Sequence, residues 1–200
     1  MTFKKYNTKN ITFFIIGSIM IGIALALFTG SLWGADPLTS IFGLVYQKQQ
    51  FFTQGMIINI ISMIMILIVA LIDYKELGLG TIAAPFIVNA VVDLVNKVIT
   101  FSNNRMENII YLPFGLILLS LGAAFCIVAG IGKSAYDSLI MAIANKFKTN
   151  YSFIRYPLDI IFAIIVLILG GTIGIWNILV IFLVGPLVDL FIWLIKKFLY

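Results

Sequence analysis

Apolar residues fall in six blocks along this chain, at residues 11–33, 52–72, 81–100, 108–131, 157–171 and 176–195, with short polar stretches between them. A helix of about 20 apolar residues crosses the roughly 30 Å hydrocarbon core of a bilayer, so each block predicts a membrane-spanning helix. The third block is the most polar, holding Pro85, Asn89, Asp93, Asn96 and Lys97, and the fifth is the shortest. A different pattern follows the first and fourth blocks. Leu38, Ile41, Phe42 and Val45 form one apolar stripe at helical spacing, and Tyr136, Leu139, Ile140, Ile143 and Phe147 form another. Asp36 is a good N-cap for the first stripe, with Pro37 at the first helical position. Ser134 stands at the matching place in the second, with Asp137 three residues on, close to a capping box. Each stripe predicts a short amphipathic helix, interfacial or re-entrant.

Composition settles the solvent. The 200 residues are 62% hydrophobic and 10% charged, with a mean hydropathy of +1.13. Soluble domains carry about 25% charged residues, and a chain this apolar could not hide its side chains in one core. Residues 1–200 therefore read as a single integral membrane domain in a lipid bilayer. No histidine is present and Cys126 is the sole cysteine, so an intrachain disulfide is excluded and zinc or haem lacks its usual ligands. No cofactor, metal site or catalytic residue is expected, and an enzyme is disfavoured. The net charge of +5 comes from basic residues set singly at block ends, which speaks for membrane topology and against nucleic acid. With the N-terminus in the cytoplasm, six crossings place Lys4, Lys5, Lys9, Lys75, Lys133, Lys146, Lys148, Arg155, Lys196 and Lys197 inside. Only Lys48, Lys97 and Arg105 fall outside, so both termini are expected in the cytoplasm of a bacterial cell membrane. Trp33 and Trp176 then reach the outer interface, and Trp193 the inner one. Block one is too long for a signal-peptide core and is read as a retained span.

The chain also repeats itself. Gly34-Ala-Asp-Pro-Leu-Thr-Ser-Ile41 aligns with Gly132-Lys-Ser-Ala-Tyr-Asp-Ser-Leu139, and Gly78-Leu-Gly-Thr-Ile82 with Gly174-Ile-Trp-Asn-Ile178. Val88-Asn-Ala-Val-Val-Asp-Leu94 then matches Val184-Gly-Pro-Leu-Val-Asp-Leu190. The fold expected is all-α, two inverted three-helix repeats at 1–103 and 104–200, because an odd number of crossings turns the second copy over. Inverted repeats recur among secondary transporters.

At these residues the chain resembles the YczE/YyaS/YitT group of bacterial membrane proteins. The resemblance rests on Tyr136-Asp137-Ser138-Leu139, Gly78-Leu-Gly-Thr81, Gly170-Gly-Thr-Ile-Gly174 and Val184-Gly-Pro-Leu-Val-Asp189, together with the Arg155/Asp159 pair. The first half departs from that pattern, with Thr39 where an acid would match Asp137. The resemblance implies a cytoplasmic-membrane protein, often labelled a transporter, with no established substrate.

Asp93 and Asp189 are the leading site candidates. A charge at the bilayer centre costs about 2.5–3.5 kcal/mol on insertion scales, so such groups usually face the bundle interior and mark ion or substrate paths. A carboxylate that takes and gives up a proton there does what a proton-coupled carrier needs. The bland role is a local partner, Lys97 for one and the headgroups near Lys196 for the other. Gly78, Gly80, Gly170, Gly171 and Gly174 flank paired interruptions, with Thr81, Asn89, Trp176 and Asn177 beside them. Tight loops explain the glycines as well. Asp36, Ser134 and Asp137 are helix-cap candidates, and Arg155 and Asp159 form an i,i+4 pair or a gate. Ser18, Gly22, Ala26 and Gly30 make a small-residue stripe suited to close helix packing, within the monomer or against a partner membrane protein or second copy.

The expected function is a small secondary transporter of a small molecule or ion bound between the halves. The alternatives are a substrate-binding subunit of an energy-coupling-factor importer, or a membrane partner that regulates a cytoplasmic enzyme through the basic segment 133–155.

Overall fold

Backbone amides in lipid can bond only to one another, so apolar blocks of this length fold as helices. The structure is a computed structural model describing residues 7–31, 36–49, 51–102 and 106–199, and those residues form eight α-helices. They are α1 (Thr8–Gly30), α2 (Pro37–Lys48), α3 (Gln54–Asp73), α4 (Leu79–Val98), α5 (Tyr111–Ala129), α6 (Ala135–Phe147), α7 (Tyr151–Ile168) and α8 (Ile175–Leu199). Among the described residues six are long and apolar enough to cross a membrane, namely α1, α3, α4, α5, α7 and α8. Lys4, Lys5, Trp33, Gly34 and Arg105 lie outside the described residues.

One boundary needs correction. The fifth span begins at Tyr151, six residues before the apolar block does. Arg155 and Asp159 are turned inward and buried, so a sum of hydropathies counts against a helix that lipid never meets on that face.

The bundle is organised around the contact of α1 with α5. Gly17 and Gly122 meet there, each leaving no room for a Cβ: one would stand 2.6 Å from the Gly122 carbonyl oxygen, the other 2.7 Å from that of Gly17. Further along, Phe28 fills the space over Gly115, so the two helices run antiparallel. The face where α1 begins is called near here, and the opposite one far. The small-residue stripe is used inside the monomer. Ser18 meets Cys126 of α5, Gly22 meets Val91 of α4, and Gly30 meets Phe101. The pairing of α1 with α4 has a counterpart in α5 with α8, and that of α3 with α6 in α7 with α2.

The short helices enter the bundle instead of lying on its faces. The first turns of α2 and α6 border the same cavity as Ile21 and Leu25 of α1 and Leu119 and Ala123 of α5, residues near the middles of those spans. From there α2 runs out to the far face, where Lys48 Nζ donates to the Leu169 carbonyl at the end of α7 (2.6 Å). α6 runs to the near face, where Asn145 Nδ2 donates to Glu76 Oε1 (2.6 Å). Both are re-entrant half-spans.

Matching polar ties hold them. The Gly78 N–H donates to Thr81 Oγ1 (3.2 Å) at the start of α4, and that hydroxyl lies 3.3 Å from Ser138 Oγ of α6. The Gly174 N–H donates to Asn177 Oδ1 (2.8 Å) at the start of α8, and Asn177 Nδ2 donates to Ser40 Oγ of α2 (3.1 Å).

Candidate functional site

Between the two half-spans lies a cavity of about 70 Å³, room for a few waters or a small ion. One wall is apolar, built by α1, α4 and α5 with Ile58 and Met65 of α3. The other is polar and comes from Asp36, Thr39, Ser134, Asp137 and Arg155, with Ser62 of α3 reaching in.

The polar wall follows from local rules. Asp36 caps α2, taking the Thr39 N–H at 3.3 Å and the Thr39 hydroxyl. Ser134 caps α6 by accepting the Asp137 N–H (3.1 Å), while its hydroxyl donates to Asp137 Oδ2 (2.7 Å). Both helix N-termini, each with a partial positive charge of about one half, therefore point toward the cavity.

Behind this wall runs one connected network. Arg155 Nε donates to Asp159 Oδ2 (3.2 Å) and Nη1 to the Tyr151 hydroxyl (2.7 Å), which in turn donates to Asp137 Oδ1 (2.6 Å). Tyr136 donates to Asp159 Oδ1 (2.6 Å), and the guanidinium lies over its ring at 5.2 Å. Arg155 is 2% exposed and Asp159 fully buried. Burying such a pair is tolerable only because almost every lone pair has a donor. The i,i+4 pair expected of Arg155 and Asp159 forms, out of solvent instead of on an exposed face, and the arginine presents one edge to the cavity.

Two donor groups on this wall remain unused. Among the described residues no hydrogen bond reaches Arg155 Nη2, and none is made by the hydroxyl of Ser62, which is 8% exposed.

The remaining candidates lie elsewhere. Asp93 sits toward the far face, accepting from Thr53 Oγ1 (3.1 Å) and the Gly55 N–H (3.3 Å). Asp189 sits toward the near face and accepts from Ser152 Oγ. Each ties the first turn of one span to its neighbour, and the two do not share a cavity. Asn89 packs into the notch left by Gly55, and Trp176 is half-buried against the core. Thr81 and Asn177 are helix-start ties as described, so of the sequence candidates the structure gathers Asp36, Ser134, Asp137, Arg155 and Asp159. Tyr151, Tyr136, Thr39 and Ser62 were missed. Tyr151, Arg155 and Asp159 recur every fourth residue, a polar stripe that starting the fifth span at residue 151 reveals.

Relatives share this chain along nearly its whole length. An uncharacterized protein of Haemophilus influenzae is 24% identical over 194 residues, 96% of this chain and 87% of its own. From Bacillus subtilis, the uncharacterized protein YyaS is 27% identical over 187 residues (91% and 92%). The uncharacterized membrane protein YczE of the same organism is 23% identical over 175 residues (87% and 81%). No solved structure matches. The profile of DUF6198, a family of unknown function, covers residues 8–193, and this multi-pass membrane chain belongs to that family.

Proposed function

We propose that the chain is a small secondary transporter, a carrier and not an enzyme, whose solute sits in the central cavity. The observation that carries this reading is the convergence of two half-spans, entering from opposite faces, on one cavity beside a buried arginine. Interrupted backbone at membrane depth is tolerated where it lines a solute site, and helix N-termini there can hold a ligand. We take the halves as inverted copies. The antiparallel crossing of α1 and α5 supports this, as do the paired ties Thr81–Ser138 and Asn177–Ser40. By the lysine distribution, the near face is the cytoplasmic one.

Alternating access is testable without a known solute. In a Cys126→Ser background in proteoliposomes, a Ser62→Cys variant should react with an impermeant thiol reagent added on either side. Reaction from neither side, or from one alone, would overturn the carrier. Asp93→Asn and Asp189→Asn in the same background should keep two-sided labelling, since those carboxylates stand away from the cavity.

A further inference from the structure

The central cavity has a specific imbalance in its hydrogen bonds. Asp36 accepts at both carboxylate oxygens from Thr39, and Asp137 accepts at both, from Ser134 and Tyr151. Each of these four carboxylate oxygens thus has at least one donor. By contrast, Arg155 Nη2 and the Ser62 hydroxyl have no hydrogen-bond partner among the described residues, although Arg155 is 2% and Ser62 8% exposed. Neither atom is among the fully buried unpartnered ones, so both open onto the cavity, where a ligand that brings acceptors can take the place of water. Arginine can only donate, and the N-termini of α2 and α6 add positive potential. A cation would meet these three unfavourably and the ionised carboxylates of Asp36 and Asp137 favourably, so the sign of the ligand turns on whether one of those carboxylates carries a proton.

Size narrows the ligand. An engineered cavity of about 150 Å³ holds benzene, with its six heavy atoms. The 70 Å³ here therefore admits about three or four heavy atoms. Charge adds a condition. Asp159 balances Arg155, while Asp36 and Asp137 stand against two helix N-termini of about half a charge each. The wall is left about one charge negative and would repel an anion unless a carboxylate is protonated. Asp36 is the candidate, because it is buried and the hydrogen bonds it accepts among the described residues come from Thr39 of its own helix. The groups around it are Tyr136 and Asp137 of α6 and Tyr151, Arg155 and Asp159 of α7. The cavity-lining residues of α1, α3, α4 and α5 include nothing that titrates.

We infer that the cavity binds a small monovalent oxyanion, a carboxylate or its inorganic isostere of three or four heavy atoms, together with one proton on Asp36. Arg155 Nη2 and Ser62 Oγ donate to the anion. The proton neutralises the carboxylate beside it, so anion and proton enter as a neutral pair. This inference rests on the carrier reading for its direction of movement, though not for binding.

The test uses the full chain in detergent, with the thermal unfolding midpoint read against sodium formate, nitrite and nitrate. Ammonium chloride and glycine serve as probes of the cationic and zwitterionic alternatives. Formate and nitrate should raise the midpoint, and their affinity should increase as the pH is lowered. Asp36→Asn should bind with affinity independent of pH. Ser62→Ala should bind about tenfold more weakly, the loss expected for one hydrogen bond to a charged group. Arg155→Lys should abolish binding, and Ser62→Ala carries the test if that variant does not fold. Stabilisation by ammonium or glycine in place of formate and nitrate would overturn the assignment, as would oxyanion binding that Ser62→Ala leaves unchanged. Two-sided labelling of Ser62→Cys with no oxyanion binding would sink the ligand class and leave the carrier. Oxyanion binding without two-sided labelling would do the reverse.

Discussion

Arg155 and Asp159 stand four residues apart, a spacing worth only about 0.3–0.5 kcal/mol when the pair is exposed on a helix. Here both side chains are out of solvent, and the comparison changes sign with context. Removing one member of a buried pair leaves an uncompensated charge and costs about 3–5 kcal/mol, whereas replacing both by apolar groups can be neutral. Asp159→Ala is therefore expected to lower the stability of the detergent-solubilised protein by about 3–5 kcal/mol in denaturant unfolding. The double variant Arg155→Met with Asp159→Leu should recover most of that loss. Equal losses in the two variants would mean that the network around Tyr136 and Tyr151, and not the unpaired charge, sets the cost. The spacing of this pair was legible in the sequence. Its burial was not, because hydropathy does not fix the rotation of a helix about its axis. Ser62 was invisible for the same reason: one hydroxyl on an apolar span means little until its face is known.

Helix boundaries and caps were the most legible elements, since they depend on neighbours in sequence. Asp36 and Ser134 start α2 and α6 as their side chains demand. That those helices begin inside the bundle depends on contacts between distant segments, which composition does not record. The glycines divide in the same way. Gly17 and Gly43 look alike in the sequence, yet a Cβ on Gly17 would press on the Gly122 carbonyl and Cys126 Sγ, at 2.6 and 2.8 Å. A Cβ on Gly43 would meet nothing within 4 Å. Gly17→Ala is expected to destabilise by about 1–3 kcal/mol, the usual cost of overpacking. Gly43→Ala, in the middle of α2, should stabilise by up to about 1 kcal/mol through helix propensity alone. Thermal unfolding of the two variants side by side measures both, and similar shifts would show that the α1–α5 crossing yields more easily than its geometry implies.

At the scale of the whole molecule the two faces differ. Toward the far face an open crevice, bordered by Thr29 and Gln54, lies one helical turn from the cavity residues Leu25 and Ile58. Toward the near face a pocket of about 270 Å³ lies where the α3–α4 connection meets the segment leading into α6, and contacts between those two segments separate it from the cavity. The Gly80 N–H donates to the Ile131 carbonyl (3.2 Å), Gly78 and Gly132 allow backbones to touch, and Lys133 is paired with Glu76, which also holds Asn145. This Lys133–Glu76 contact ties the α3–α4 connection to the segment leading into α6. Opening the near face requires those two segments to part, so the ion pair weighs on the balance between far-open and near-open forms. Its side chains are 17% and 15% exposed, and a partly screened pair of this kind contributes about 1 kcal/mol. If it exists only in the near-closed form, its loss shifts the population toward near-open by about fivefold. Lys133→Ala, in the Ser62→Cys and Cys126→Ser background, should raise the rate of thiol labelling from the near face about fivefold, with labelling from the far face reduced or unchanged. Glu76→Gln should act in the same direction, because it removes the charge while Asn145 keeps an acceptor. An equal rise on both faces would indicate general loosening of the bundle, and no rise on the near face would make the ion pair a fastening present in every state.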